Sequence, residues 1–68
     1  MATYREIIEG LQILASLEGE DLDYFNVQAE HDEIYAGPHV AFVSEDAKKK
    51  LEELGWHVSE VDRYCIFT

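Results

Sequence analysis

The chain has 68 residues, of which 47% are apolar and 12% aromatic, and its formal net charge is -10. A chain of this length is expected to fold as one domain, residues 1–68, and to bury only about 60% of the surface that its unfolded form exposes. The apolar content argues against disorder, while the charge disfavours direct contact with nucleic acid or anionic membranes and favours a cationic partner.

Cysteine usage and hydropathy bear on the compartment. Cys65 is the single cysteine, which excludes an intramolecular disulfide and fits a reducing cytosol better than secretion. The segment "MATYREIIEG" carries charges where a signal peptide needs an apolar run, and no stretch reaches the roughly 18 apolar residues of a membrane-spanning helix. We therefore expect a cytoplasmic location.

The first predicted element is an amphipathic helix that begins at a capping box. In this box the Thr3 side chain caps the free amide of Glu6, and the Glu6 side chain bonds back to Thr3. Gly19 can take the left-handed conformation that ends a helix, so the helix is expected to end near residues 17–19. Its apolar stripe consists of Tyr4, Ile7, Ile8, Leu11, Leu14 and Ala15.

Three other residues of this helix depart from the stripe. Ile13 falls on the polar side and Leu17 at its border, which predicts exposed apolar side chains there. Gly10 inside a helix costs roughly 1 kcal/mol relative to alanine. Close packing of another backbone against Gly10 would explain that cost.

The next segment, "YFNVQAEHDEIYAGP", has the alternation of a β-hairpin. Phe25, Val27 and Ala29 alternate with polar residues and predict a half-buried strand. His31 and Asp32 form the predicted turn, "IYA" supplies the second strand, and "GP" ends it. The following "HVAFV" fits either a short extra strand or an extended connector.

A second helix and a second hairpin complete the chain. Ser44 caps the helix within "SEDAKKKLEELG", and Gly55 terminates it. The last segment, "WHVSEVDRYCIFT", predicts two short strands around a turn near residues 60–62. The predicted fold class is α+β, helix-hairpin-helix-hairpin (αββαββ), with the two helices packed on one face of an antiparallel sheet.

The charge imbalance lies in the first two thirds of the chain. Residues 1–47 hold eleven acids and one base, whereas the charges of residues 48–68 sum to zero. The densest acidic stretch is "EGEDLDY", residues 18–24, which has four carboxylates. Surfaces tuned only for solubility usually mix both signs. This distribution favours a recognition surface, with a plain solvated loop as the alternative.

Metal binding and catalysis find less support in the residues. Cys65 with a histidine is a conceivable nucleophile, but a buried or edge thiol is the commoner arrangement in a strand. A chain of this size also has little volume for a cleft. We expect no enzyme activity, no catalytic residue, no cofactor and no metal. The residues of metal-binding type lack helical i,i+4 histidine spacing; they are His31, Asp32, Glu33, His39 and His57.

The acidic residues are instead candidates for a partner-binding surface. B-form DNA carries one charge per ~3.4 Å of each strand along its axis, and alternate residues of a β-strand repeat at ~6.8 Å. Carboxylates on strands, helix ends and loops can therefore have spacings comparable with those of neighbouring phosphates, and tyrosines add contact area. The predicted partner-binding residues are Glu18, Glu20, Asp21, Asp23, Tyr24, Glu30, Asp32, Glu33 and Tyr35.

A resemblance supports this interpretation. The stretch "AEHDEIYAGP", the capped helix "SEDAKKKLEELGW" and the aromatic C-terminal strand together resemble small acidic proteins of bacteriophages and mobile elements. In size and charge the chain is also similar to phage anti-defence proteins, including anti-CRISPR proteins, several of which imitate DNA. The resemblance implies a small stoichiometric inhibitor that binds a host nucleic-acid-binding complex in the host cytoplasm.

Two hypotheses follow. The first is an acidic DNA mimic that blocks a host nucleic-acid-binding complex, such as a CRISPR defence complex, by occupying its basic DNA-recognition surface. The alternative is a small structural or regulatory interaction module of phage or bacterial origin, with homodimers included. Such a module would meet its partner through apolar surface around Ile13 and Leu17.

Overall fold

The protein's elements were located in a computed structural model that describes residues 2–19 and 27–68. Two α-helices and one four-stranded antiparallel sheet confirm the α+β class. In chain order the elements are α1 (Tyr4–Leu17), β1 (Gln28–Glu30), β2 (Glu33–Ala36), a 3-10 turn (Val40–Phe42), α2 (Glu45–Glu53), β3 (His57–Val58) and β4 (Tyr64–Phe67).

Helix α1 begins and ends where its sequence predicts. The Glu6 amide donates to Thr3 Oγ1 at 3.2 Å, and the Thr3 amide donates to Glu6 Oε1 at 2.8 Å, which completes the capping box. Gly19, with φ of 97°, follows the last turn in the left-handed conformation.

Helix α2 ends in a Schellman motif that sets the direction of the chain into β3. Gly55 has φ of 90°, its amide donates to the Glu52 carbonyl at 3.0 Å, and the Trp56 amide donates to the Leu51 carbonyl at 2.9 Å. At the other end of the helix, Ser44 Oγ accepts from the Ala47 amide at 3.3 Å, as predicted for its cap.

The strands pair in the order β1-β2-β4-β3. The central pair joins the two hairpins, with Ile34 opposite Ile66 and Ala36 opposite Tyr64. Past the last paired residue, the Thr68 amide donates to the Asp32 carbonyl at 2.6 Å. The central pair therefore aligns the end of β4 with the turn of the first hairpin.

Both predicted hairpin turns are present. The residues between β1 and β2 are His31 and Asp32, and His31 has φ of 53°. Between β3 and β4 the Ser59 amide donates to the Arg63 carbonyl at 2.8 Å, and Asp62 has φ of 60°. A left-handed residue at the end of such a loop is the usual route by which a three-residue hairpin closes.

One apolar cluster lies between the helices and the sheet. It combines one side chain of each helix with side chains from the central strands and the segments next to α2. Its buried members are Leu14, Ala36, Val43, Leu51, Trp56, Tyr64 and Ile66.

Trp56 joins α1 to this cluster. Its side chain is 2% exposed, and its indole Nε1 donates to the Glu6 carbonyl at 2.8 Å. The ring lies directly over Gly10, where a Cβ atom would overlap the indole. Gly10 is therefore accounted for by close packing, as expected, but its neighbour is an aromatic side chain rather than a backbone.

The buried face of α1 differs from the predicted stripe. Gly10 is buried, and Ile13 and Leu17 pack against the core, whereas Tyr4 and Ile8 are 89% and 52% exposed. The predicted exposure of Ile13 and Leu17 is therefore wrong. The cause is that the packed face is centred on a residue without a side chain, which a pattern of apolar residues does not register.

The predicted half-burial of the first strand is also wrong. Val27 is 54% exposed, and Ala29 is exposed as well. β1 is an edge strand, and the core cluster of the described residues includes side chains of β2 and β4 but none of β1. Phe25, which the same pattern placed on this strand, lies outside the described residues.

The segment "HVAFV" forms neither a strand nor an extended connector. It contains the 3-10 turn Val40–Phe42, which begins where His39 Nδ1 accepts from the Ala41 amide at 3.0 Å. The turn is fastened to the second hairpin, because the Val40 amide donates to the Asp62 carbonyl at 2.8 Å. Within residues 2–19 and 27–68, neither helix has the length and apolar character needed to cross a membrane.

Replacing Gly10 with alanine tests the packing of α1 against the indole. Alanine favours a helix by roughly 1 kcal/mol over glycine, but here its methyl group collides with Trp56. We expect Gly10→Ala to lower the free energy of unfolding by about 1–3 kcal/mol, measured by urea denaturation followed by circular dichroism. The exposed Gln12→Ala on the same helix is the control and should not destabilise. An increase in stability for Gly10→Ala would show that the indole does not need this space.

Candidate functional site

The two faces of the sheet differ in composition. Because side chains alternate along a strand, Ile34, Ala36, Tyr64 and Ile66 share one face, and all four belong to or pack against the core cluster. The opposite face is called the outer face here. Its residues are Gln28, Glu30, Glu33, Tyr35, His57, Arg63, Cys65 and Phe67.

One end of the outer face is acidic. Glu30 on β1 is the direct cross-strand partner of Glu33 on β2, and Asp32 lies in the turn between them. Within the described residues the ion pairs lie elsewhere, on α1, on α2 and between His39 and Asp62, so no basic side chain neutralises this end. Like charges directly opposite on a sheet destabilise it. The fold therefore keeps an unfavourable pair at this position.

Glu33 is also coupled to Tyr35. Hydrogen bonding between the phenol and the Glu33 carboxylate, with burial as a further cause, raises the pKa of Tyr35 to about 12. The two residues are i,i+2 neighbours on β2 and share the outer face. The charge of Glu33 therefore disfavours ionisation of the neighbouring tyrosine.

The second half of the face contains a cysteine and a histidine in contact. Cys65 Sγ lies 3.1 Å from His57 Nε2, and the His57 ring is stacked on Phe67 with 4.8 Å between ring centroids. Cys65 is fully buried, and burial together with the Glu33 charge raises the pKa of its thiol. A nucleophilic cysteine requires a lowered thiol pKa and access. The contact therefore supports packing rather than covalent catalysis.

Arg63 occupies the other end of the outer face. Its Nε donates to the Gly37 carbonyl at 3.0 Å, and its side chain reaches the Gln28 side chain at 3.4 Å. The guanidinium is thus engaged away from Glu30 and Glu33. The outer face consequently has acids at one end and one arginine at the far end. The aromatic rings of Tyr35, His57 and Phe67 lie next to the acids.

The structure brings together part of the predicted partner-binding set. Glu30, Glu33 and Tyr35 share the outer face, and Asp32 lies in the adjoining turn. Glu18 belongs to another element, where it is the C-terminal cap of α1. The remaining four predicted residues, Glu20, Asp21, Asp23 and Tyr24, lie outside the described residues.

Sequence reasoning missed His57, Cys65 and Phe67 as neighbours of these acids. The alternation of "YCIF" already separates Cys65 and Phe67 from the core pair on β4. Their position beside Glu33 depends on the pairing of β2 with β4, which joins residues 28 to 34 positions apart and leaves no local signal.

The described part of the chain offers little to metal or small-molecule chemistry. Among residues 2–19 and 27–68, no group of three or more histidine, cysteine and acidic side chains is arranged to hold a metal ion. An open groove runs between α1 and α2, where Arg5 is paired with Glu9 at 2.6 Å and Lys50 and Glu53 line the other wall. Its mixed and solvated charges select no ligand class.

The chain was compared with models of protein families, with curated proteins and with solved structures, and none of the three comparisons gave a match. The function must therefore be inferred from the geometry of the outer face and from the charge of the sequence.

Reversing one charge of the acidic pair should stabilise the protein. Glu30→Lys converts the repulsion with Glu33 into an attraction, and we expect the free energy of unfolding to rise by about 0.2–1 kcal/mol, measured by urea denaturation at low salt. Glu60→Lys, in the turn between β3 and β4, makes the same change in net charge and should gain less. Equal increases in the free energy of unfolding for the two variants would mean that net charge, and not the contact between Glu30 and Glu33, destabilises the protein.

The titration of Tyr35 tests its coupling to Glu33. Because the folded pKa of about 12 exceeds the ordinary tyrosine value of 10.0, Tyr35 contributes stability that is present below pH 10 and is lost as the pH rises through the folded value. Tyrosinate absorbance, with Tyr35→Phe for assignment, should show that Glu33→Gln lowers the Tyr35 pKa more than Glu30→Gln does. Equal shifts from the two variants would attribute the raised pKa to net charge alone.

Proposed function

We propose that the protein is a non-enzymatic, DNA-mimicking inhibitor that occupies the basic DNA-recognition surface of a host nucleic-acid-binding complex. Defence complexes, including CRISPR complexes, are the class of target that this proposal names. The carboxylates of the protein take the places of phosphates, so the protein itself needs neither nucleic acid nor a membrane. The outer face and the acidic segment before β1 form the contact surface in this proposal.

The observation that carries the proposal is the uncompensated pair of Glu30 and Glu33. The two acids are direct cross-strand neighbours on a rigid sheet, and none of the ion pairs of the described residues involves them. Neighbouring strands lie about 4.8 Å apart, so the sheet holds the two charges close together in the absence of a partner. A basic surface would remove the repulsion and recover the free energy that the pair costs.

The distribution of charge along the chain supports the same proposal. Four further carboxylates, those of Glu18, Glu20, Asp21 and Asp23, precede the first hairpin, and no lysine or arginine lies between Arg5 and Lys48. A partner that approaches this part of the chain therefore experiences a field of one sign. Such a field accelerates association with a basic surface and makes binding strongly dependent on salt.

Within residues 2–19 and 27–68, the core cluster lies on one face of the sheet. In the proposal both helices pack on the inner face of an αββαββ arrangement. The clustering of Leu14 of α1 and Leu51 of α2 with Ala36, Tyr64 and Ile66 supports this packing. The outer face is then the one on which a partner can lie flat against the strands.

The rival proposal is a protein-interaction module that binds through apolar surface. The specific observation in its favour is the exposure of Tyr4 and Ile8 on α1, at 89% and 52%. These two residues replace Ile13 and Leu17 as the apolar contact of that hypothesis, and a homodimer is one form that it can take. Apolar contacts survive high salt, whereas contacts between charges do not.

A pair of double variants with equal net charge separates the two proposals. Glu30→Gln with Glu33→Gln removes the acidic pair, and Glu52→Gln with Glu53→Gln removes two neighbouring acids of α2. The target is captured from host lysate at low salt on immobilised wild-type protein, and its binding to DNA is then measured in competition with each variant. We expect the first double variant to weaken inhibition by about tenfold and to reduce the salt slope by about two.

The control double variant should stay within about twofold of the wild type. If both double variants weaken inhibition equally, long-range charge and not the outer face carries the effect. If binding survives high salt and is lost on Tyr4→Asp or Ile8→Asp, the interaction module replaces the DNA mimic.

A further inference from the structure

We infer that the acidic end of the outer face binds an arginine side chain of the partner, with the guanidinium lying on the Phe67 ring and bonded to the carboxylates of Glu33 and Glu30. This inference rests on the proposed function for the choice of surface. It deepens that function by naming the side chain that is recognised there, and therefore distinguishes arginine from lysine.

The three residues form one row across the sheet. Glu30 on β1 is paired with Glu33 on β2, and Glu33 is paired with Phe67 on β4. Directly paired residues point to the same side of a sheet, and neighbouring strands lie about 4.8 Å apart. The row therefore places two carboxylates and an aromatic ring side by side within the reach of a single long side chain.

The aromatic member of the row is both exposed and held in place. Phe67 is 54% exposed, and its ring is stacked on His57 with an interplanar angle of 27°. His57 is itself fixed by its contact with the buried Cys65. A ring that is already ordered loses little conformational freedom when a ligand lies on it, so its contact contributes more to affinity.

Both carboxylates of the row are accessible to a donor. Glu33 is half-buried beside the ring, and Glu30 is exposed at the end of the row. An ionised carboxylate only accepts hydrogen bonds and has two oxygens with which to do so. A planar donor with several N–H groups can therefore meet two acids and a ring at once.

The charge of the row decides which occupant fits. An apolar partner would have to strip water from two carboxylates without compensating them, and a second copy of this chain would bring the same acids against them. A cation resolves both problems. Arginine suits the row better than lysine because its guanidinium is planar, stacks on aromatic rings and offers paired donors to carboxylates, whereas an ammonium is a compact, strongly hydrated charge.

Two blocked peptides of equal length and charge, oligoarginine and oligolysine, serve as probes for the full chain. Isothermal titration should give a dissociation constant for oligoarginine that is about two- to fivefold lower than that for oligolysine. Phe67→Leu keeps an apolar residue on β4 but removes the ring, and we expect it to abolish this preference while oligolysine binding stays unchanged. Phe67→Tyr should keep the preference.

The matched control is Phe42→Leu, because Phe42 is a strongly exposed phenylalanine, at 76%, that lies on the 3-10 turn away from the row. Equal affinities of the wild type for the two peptides would overturn the inference. So would a preference that survives Phe67→Leu, or one that Phe42→Leu removes as well. Circular dichroism establishes that each variant is folded.

The outcome is independent of the proposed function. A preference for arginine that depends on Phe67, together with unchanged DNA competition by the Glu30 and Glu33 double variant, would retain the arginine site and reject the DNA mimic. Loss of DNA competition by the Glu30 and Glu33 double variant, without any preference of the wild type for arginine, would retain the DNA mimic and reject the arginine site.

Discussion

The contact between Trp56 and Gly10 determines how the parts of this small fold are joined. The indole lies where a side chain at position 10 would be, and its N–H group bonds to the Glu6 carbonyl at 2.8 Å. Trp56 follows the Schellman motif at Gly55 and precedes β3 directly, so one residue connects α1, the end of α2 and the sheet. A chain of 68 residues has few such contacts to spare, because small domains bury a smaller fraction of their surface than large domains do. This close approach joins α1 to the start of β3, and the pairing of β3 with β4 brings His57 to Phe67.

The negative charge of the chain lowers the stability of the fold. The net charge of -10 disfavours a compact state through self-repulsion, and the direct opposition of Glu30 and Glu33 adds a local cost. If the proposed function holds, stability and recognition make opposite demands on the first hairpin. Substitutions that relieve the repulsion are easy to devise, and a sequence that keeps the acids is consistent with a surface whose stabilisation comes from its partner.

The sequence predicted the local features of the fold and missed those that depend on distant pairing. Thr3, Ser44, Gly19 and Gly55 were identified correctly as helix boundaries, since caps and left-handed glycines act within a few residues. The packing of Ile13 and Leu17 against the core was missed because the packed face of α1 is centred on Gly10, whose role becomes visible only with Trp56 in place.

The same difference between local features and distant pairing applies to the candidate site. The acids of the hairpin were proposed from composition, and the turn at His31 and Asp32 was predicted, but the opposition of Glu30 and Glu33 came from the structure. The place of Phe67 was not predicted, because only the pairing of β2 with β4 puts it beside Glu33. The exposure of Val27 likewise follows from the edge position of β1, which the alternation of its residues does not encode.

The burial of Cys65 on the outer face has a consequence for the dynamics of the sheet. The thiol contacts His57, and β3, which carries that histidine, has two residues and, among the described strands, pairs with β4 alone. An edge of this kind can open without unfolding the rest of the domain. The rate at which a thiol reagent modifies Cys65 therefore measures how often β3 separates from its neighbour, so the chain carries its own reporter of motion beside the surface proposed to bind the partner.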